Sequence, residues 1–98
     1  MRKVMHHQAV APGVGMTFWD GDYTLKDRER QLKLIEVTAQ EAPDFSVQVE
    51  QSLDGIAWYP VGDPLTAVGL YERTIRTPYY RARLASFTGG GTLSVFTN

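Results

Sequence analysis

Apolar and polar residues alternate with a period of two along most of the chain. In Phe45-Ser46-Val47-Gln48-Val49-Glu50 the apolar residues fall on one side and the polar ones on the other. Tyr80, Ala82 and Leu84 oppose Tyr79, Arg81 and Arg83, and Leu93 and Val95 oppose Ser94 and Phe96. Val14, Met16 and Phe18 share a side in "VGMTFW". A period of two is the signature of a half-buried strand, because successive side chains point to opposite faces of a sheet. Turn residues separate the runs: "APG" at 11 to 13, "DGD" at 20 to 22, "EAPD" at 41 to 44, "LDG" at 53 to 55, "GDP" at 62 to 64 and "TGGG" at 88 to 91. The last reads as a flexible hairpin turn. Seven or eight short strands punctuated this way predict an all-β domain, a single antiparallel β-sandwich of jelly-roll type.

Two segments depart from the pattern. "TLKDRERQLKLIEV" at 24 to 37 has a charged first half, read as a loop or turn with a short helical turn as the lesser alternative, and a β-branched second half read as a strand over 31 to 39. That strand is apolar on both sides, with Leu32 and Leu34 one way and Ile35 and Val37 the other. A strand wet on one side has no need of this, so it is either central in a two-layer core or part of a subunit interface. Residues 1 to 12 lack a clear period and read as an arm, mobile or exchanged between subunits, ahead of a sandwich domain over 13 to 98.

Composition narrows the function classes. At 98 residues, 43% hydrophobic and 21% charged, the chain is one globular domain with a small core. A net charge of -1 argues against a nucleic-acid backbone binder. The absence of cysteine removes thiolate metal sites, disulfide staples and cysteine nucleophiles. No apolar run is long enough for a membrane helix, and "MRKVMHHQAV" has no apolar core of a secretory signal, so synthesis in the cytoplasm is expected.

Few residues suggest chemistry. His6 and His7 are neighbours, which a strand sends to opposite faces, so they are poorly placed to share a metal. Asp20 and Asp22 flank Gly21, but the remaining ligands of a calcium loop are missing. No nucleophile elbow, phosphate loop or marked carboxylate pair is present, so neither an enzyme nor a cofactor is expected. Arg73, Arg76, Arg81 and Arg83 form an anion-binding strip, or one half of cross-strand ion pairs with Glu41, Asp44, Glu50 and Asp54, or a strip that meets those acids across a subunit boundary. Opposite charges facing each other across strands are routine in sheets, which favours the second reading. Trp58, three residues past Gly55, is expected to be a buried marker of the core, costing roughly 3–5 kcal/mol on truncation to alanine.

The order "LKLIEVTA", "FSVQVEQSLDGIAWYPVG", "GLYERTIRTPYYRARLASFTGGGTLSVFT" resembles small β-sandwich virion structural proteins of tailed bacteriophages. The likeness lies in Ser-x-Asp-Gly-x-x-Trp (Ser52 to Trp58), a Gly-x-Tyr strand entry (Gly69, Tyr71), Tyr-x-Arg-x-Arg (Tyr79, Arg81, Arg83) and a Gly-rich turn, over roughly residues 31 to 97. The resemblance implies a non-enzymatic virion component, foremost a head decoration or spike protein, otherwise a neck or tail part. Such a part acts by assembly with other virion proteins, as a trimer or dimer, with no nucleic acid or membrane partner. Val4, Met5 and Val10 of the arm and the exposed rings Trp19 and Tyr71 are then the candidate interface residues. The competing expectation is a carbohydrate-binding module, in which two or three of Trp19, Trp58, Tyr59, Tyr71 and Tyr79 form an exposed coplanar strip.

Overall fold

A computed structural model describes residues 3–19 and 31–98. Asp20, Asp22 and the charged run at 26 to 30 lie outside the described residues. Among the described residues nine strands follow in chain order: β1 (Lys3–Ala9), β2 (Gly13–Val14), β3 (Phe18–Trp19), β4 (Gln31–Gln40), β5 (Asp44–Ser52), β6 (Tyr59–Pro60), β7 (Gly69–Ile75), β8 (Tyr79–Thr88) and β9 (Thr92–Thr97). One sheet has the order β1-β9-β4-β7 and the other β2-β8-β5-β6, with β3 also on β8. Every pairing is antiparallel. Counting β2 and β3 as one interrupted strand gives eight strands, alternating between the sheets as in a jelly roll, so the predicted fold class is observed.

Among the described strands, β5 and β6, and the two halves β2 and β3, are consecutive within one sheet; the other consecutive strands lie in different layers. The Gly89–Gly91 turn is therefore a sheet-to-sheet crossover rather than the hairpin its sequence suggests. Gly91 is required there, since its φ is +93° and a Cβ would fall 1.9 Å from the Gln40 carbonyl oxygen.

The core lies between the layers. Ile35 and Val37 of β4, Leu93 and Val95 of β9, Val47 and Val49 of β5, and Tyr80, Ala82 and Leu84 of β8 are its centre. The period-two reading of β8 and β9 matches this burial. On β4 the inward face carries Lys33 as well, its ammonium 5.1 Å from the centre of the Tyr80 ring.

The arm is not an arm. Residues 3 to 9 pair with β9 as an edge strand of the same chain, and Met5 is 1% exposed. Burying a methionine side chain contributes roughly 1.5–3 kcal/mol, which fastens β1 to the sandwich. The alternation failed to show because β1 shifts register twice, between Val4 and His6 and between His6 and Ala9.

The stretch after β2 also departs from expectation. Val14 and Met16 are exposed, and only Phe18 packs inward, stacked on Tyr80 at 5.4 Å. Residues 15 and 16 instead bridge the layers: Gly15 N–H donates to the Ala82 carbonyl of β8, and Met16 N–H donates to the Met5 carbonyl of β1. A Cβ on Gly15 would lie 2.2 Å from the Met5 oxygen, so only glycine fits. His6 joins this bridge, its Nε2 2.9 Å from the same Ala82 oxygen. A carbonyl can only accept, so the His6 proton sits on Nε2.

On β7 the inward residues are Tyr71, Arg73 and Ile75. Tyr71 donates its hydroxyl to the Ala67 carbonyl at 2.6 Å, and Arg73 donates to the Asp63 carbonyl at 3.1 Å. An inward-pointing cation at an edge strand discourages edge-to-edge pairing.

Candidate functional site

Two outer faces remain, one per sheet. On the β2-β8-β5-β6 sheet the register sets Gln48 opposite Arg83, Glu50 opposite Arg81 and Ser52 opposite Tyr79. Glu50 is buried and takes both cations: Arg81 Nε donates to Oε1 at 2.8 Å and Arg83 Nε donates to Oε2 at 3.2 Å. Two guanidinium groups against one carboxylate leave a local charge of +1.

The loop between β5 and β6 folds across this face, and the Ser-x-Asp-Gly-x-x-Trp sequence explains how. Ser52 Oγ donates to Asp54 Oδ1 and accepts the N–H groups of Asp54 and Gly55. Asp54 Oδ1 in turn accepts the N–H groups of Ile56 and Ala57. These bonds, led by the one from Ala57, hold the Asp54 carboxyl below its ordinary pKa range, because they stabilise the charged form. Gly55, at φ +79°, rests on the Tyr79 ring, 3.5 Å from a Cβ position to the nearest ring carbon. Trp58 then lies against Arg81, with the guanidinium carbon 4.0 Å from the ring centre.

Trp58 is thus half-buried and lies outside the core cluster, contrary to the expectation of a buried core ring. It covers an ion pair rather than capping the hydrophobic interior. The short edge strand that Pro60 predicted is present as β6.

The four arginines do not form one strip. Arg81 and Arg83 converge on Glu50, as the ion-pair reading has it. Arg73 points between the sheets, and Arg76 lies exposed in the β7–β8 turn, its backbone N–H bound to Gln51 Oε1. Nor do the rings form a coplanar platform. Trp19 is 62% exposed beside Tyr79, but the two rings are tilted by 36° at 6.5 Å. Tyr79 lies under Gly55, Trp58 lies against Arg81, and Tyr71 points inward.

The outer face of the β1-β9-β4-β7 sheet is different in kind. Leu32 and Leu34 of β4 face outward and are exposed, so β4 is a core strand on its inner side only. Leu70 of β7 is 66% exposed, Val68 just before it is exposed too, and Val4 of β1 lies opposite Phe96. An open groove of about 440 Å³ runs past Val68, Leu70 and Glu36. Of the five residues singled out for assembly, Val4, Val10 and Trp19 are exposed, Met5 is core and Tyr71 is packed against the core. Leu32, Leu34 and Leu70 were missed as surface residues, though the two-sided apolar pattern of residues 31 to 37 carried the signal. Comparison with family models, curated proteins and solved structures finds no match.

Proposed function

We propose that this protein is a non-enzymatic structural component of a virion, most simply a capsid-surface part, that works by packing against neighbouring subunits of the same particle. The observation that carries this is the outer face of the β1-β9-β4-β7 sheet, where Val4, Leu32, Leu34, Val68 and Leu70 are exposed around the carboxylates of Glu36 and Glu72. Apolar patches of this kind are uncommon on a monomer and mark contact surfaces. The layout resemblance to tailed-phage sandwiches supplies the setting, and a jelly roll suits a repeated building block. Repetition also raises stability by mass action, which a small core benefits from.

The test is a pair of charge insertions, Leu32→Glu and Leu70→Glu, in the whole protein. Both sites are exposed, so thermal stability should stay within about 0.5 kcal/mol of the parent. Self-association by mass photometry, or co-sedimentation with assembled particles, should be lost. A parent protein that stays monomeric at high concentration and ignores particles would overturn the proposal, as would charged variants that assemble normally.

A further inference from the structure

The polar end of the same sheet face holds a second feature, which stands apart from the assembly reading. Where β1 shifts register, Gln8 adopts a φ of +48°, uncommon for a residue with a Cβ. Its N–H reaches sideways to Ser94 Oγ at 3.0 Å instead of completing a regular ladder. The irregular strand opens a pocket of about 260 Å³ lined by Gln8, Thr38, Gln40, Thr92, Ser94 and Phe96. Thr38 faces Ser94 and Gln40 faces Thr92 directly across β4 and β9. Directly opposed side chains in a sheet start about 5 Å apart, so the hydroxyl and amide groups converge.

The chemistry of this lining is specific. Among the described residues, His7 is the single ionisable side chain in its lining. Apart from that imidazole, phosphate, carboxylates and metal ions find no counter-charge among the described lining residues. What the pocket offers is neutral groups that both donate and accept: three hydroxyls and two carboxamides. Ser94 accepts the Gln8 N–H and keeps its own proton to donate. Phe96 adds an aromatic wall. Alternating hydroxyls on an apolar ring are the complement of that surface, and the volume suits one ring rather than a chain. We infer that this pocket binds a neutral saccharide unit through Gln8, Thr38, Gln40 and Ser94. The pocket adjoins one end of the apolar patch, since Thr38 lines both it and the groove past Val68 and Leu70, but Thr38 lies six residues along β4 from Leu32, roughly 20 Å.

The experiment is a ¹⁵N–¹H titration of the whole protein with glucose, galactose and N-acetylglucosamine, with glucuronate and inorganic phosphate as charged arms. At roughly 10 mM sugar a site with a Kd of about 1 mM is close to saturated. Saturable shifts at the Gln8, Gln40 and Ser94 amides with at least one neutral sugar are expected. Thr38→Val combined with Gln40→Ala should weaken them at least tenfold while the rest of the spectrum stays in place. Absence of shifts with every neutral sugar, shifts centred on Trp19 and Tyr79, or tighter binding of glucuronate or phosphate would each overturn the inference. Repeating the titration on Leu32→Glu separates it from assembly, since the pocket should bind sugar whether or not subunits associate.

Discussion

Trp58→Ala tests whether the residue covers an ion pair or fills a core. A fully buried tryptophan removes up to about 250 Å² from water, and Trp58, at its partial exposure, removes roughly 160 Å². At about 25 cal/mol per Å² that contributes close to 4 kcal/mol, and nearer 3 once the compactness of the unfolded chain is allowed for. The Arg81 guanidinium, 4.0 Å from the ring centre, adds about 0.5–1 kcal/mol. The expected loss is roughly 3.5–4 kcal/mol, or about 15–30 °C in Tm for a domain of this size. The magnitude alone does not separate the two roles, because a core tryptophan costs about 3–5 kcal/mol. The coupling does. In a double-mutant cycle with Arg81→Met, removal of the Glu50 partner affects both arms equally, and the residual interaction should be about 0.5–1 kcal/mol. The measurement is chemical denaturation followed by far-ultraviolet circular dichroism, which reads all four proteins of the cycle, with Trp58 fluorescence read separately in a Trp19→Phe background. A cycle that closes to within about 0.3 kcal/mol, or fluorescence unmoved by Arg81→Met, would refute the stacking account.

Two further outcomes follow from the backbone. Gly15→Ala should destabilise by about 2–3 kcal/mol, because the new methyl group meets the Met5 carbonyl, a backbone atom that cannot step aside without moving β1; a thermal melt within a degree or two of the parent would contradict the bridge. The loop over β8 should respond to acid through Asp54. Its carboxyl is held below its ordinary range, so its tie to Ile56 and Ala57 is complete above the unfolded value and is lost as pH falls through the lower folded one. The amide shifts of Ile56 and Ala57 should titrate together with a midpoint below the usual aspartate range, and a midpoint at or above that range would be the wrong sign.

How much was legible depended on whether one rule governed each stretch. Tyr80 to Leu84 and Leu93 to Phe96 alternate because one side is core and the other is not, and their burial could be read directly. β5 alternates equally well in sequence, yet Gln48 and Glu50 are buried along with Val47 and Val49. The cause is tertiary: the segment from Ser52 to Leu65 returns along β5, with Val61 bonded to Val49 and Leu65 to Val47, and covers the polar side. β1 was illegible for the opposite reason, since its bulges destroy the period that betrays a strand. Trp58 was misplaced because aromatic size predicts burial on average, while its position follows from the Arg81 cation on its ring; Tyr71 erred the other way, expected exposed but turned inward with its hydroxyl on the Ala67 carbonyl. The jelly-roll order came through because turn residues mark strand ends regardless of which sheet comes next. The polar pocket left no sequence trace, because it exists only where an irregular β1 meets β4 and β9.

The pairing of β1 with β9 has a bearing on synthesis. Lys3 sits against Thr97 and Val4 against Phe96, so partners made nearly a whole domain apart must find each other. While residues 10 to 91 emerge from the ribosome, β1 has no strand to join, Met5 has no interior to enter, and β4 has one edge open beside β7. Contacts this distant in sequence are formed late and slowly. A pulse-labelling experiment on stalled ribosomes should therefore find β1 unprotected until residues 92 to 97 have cleared the exit tunnel, and the apolar face around Leu32 in need of shelter for most of that interval.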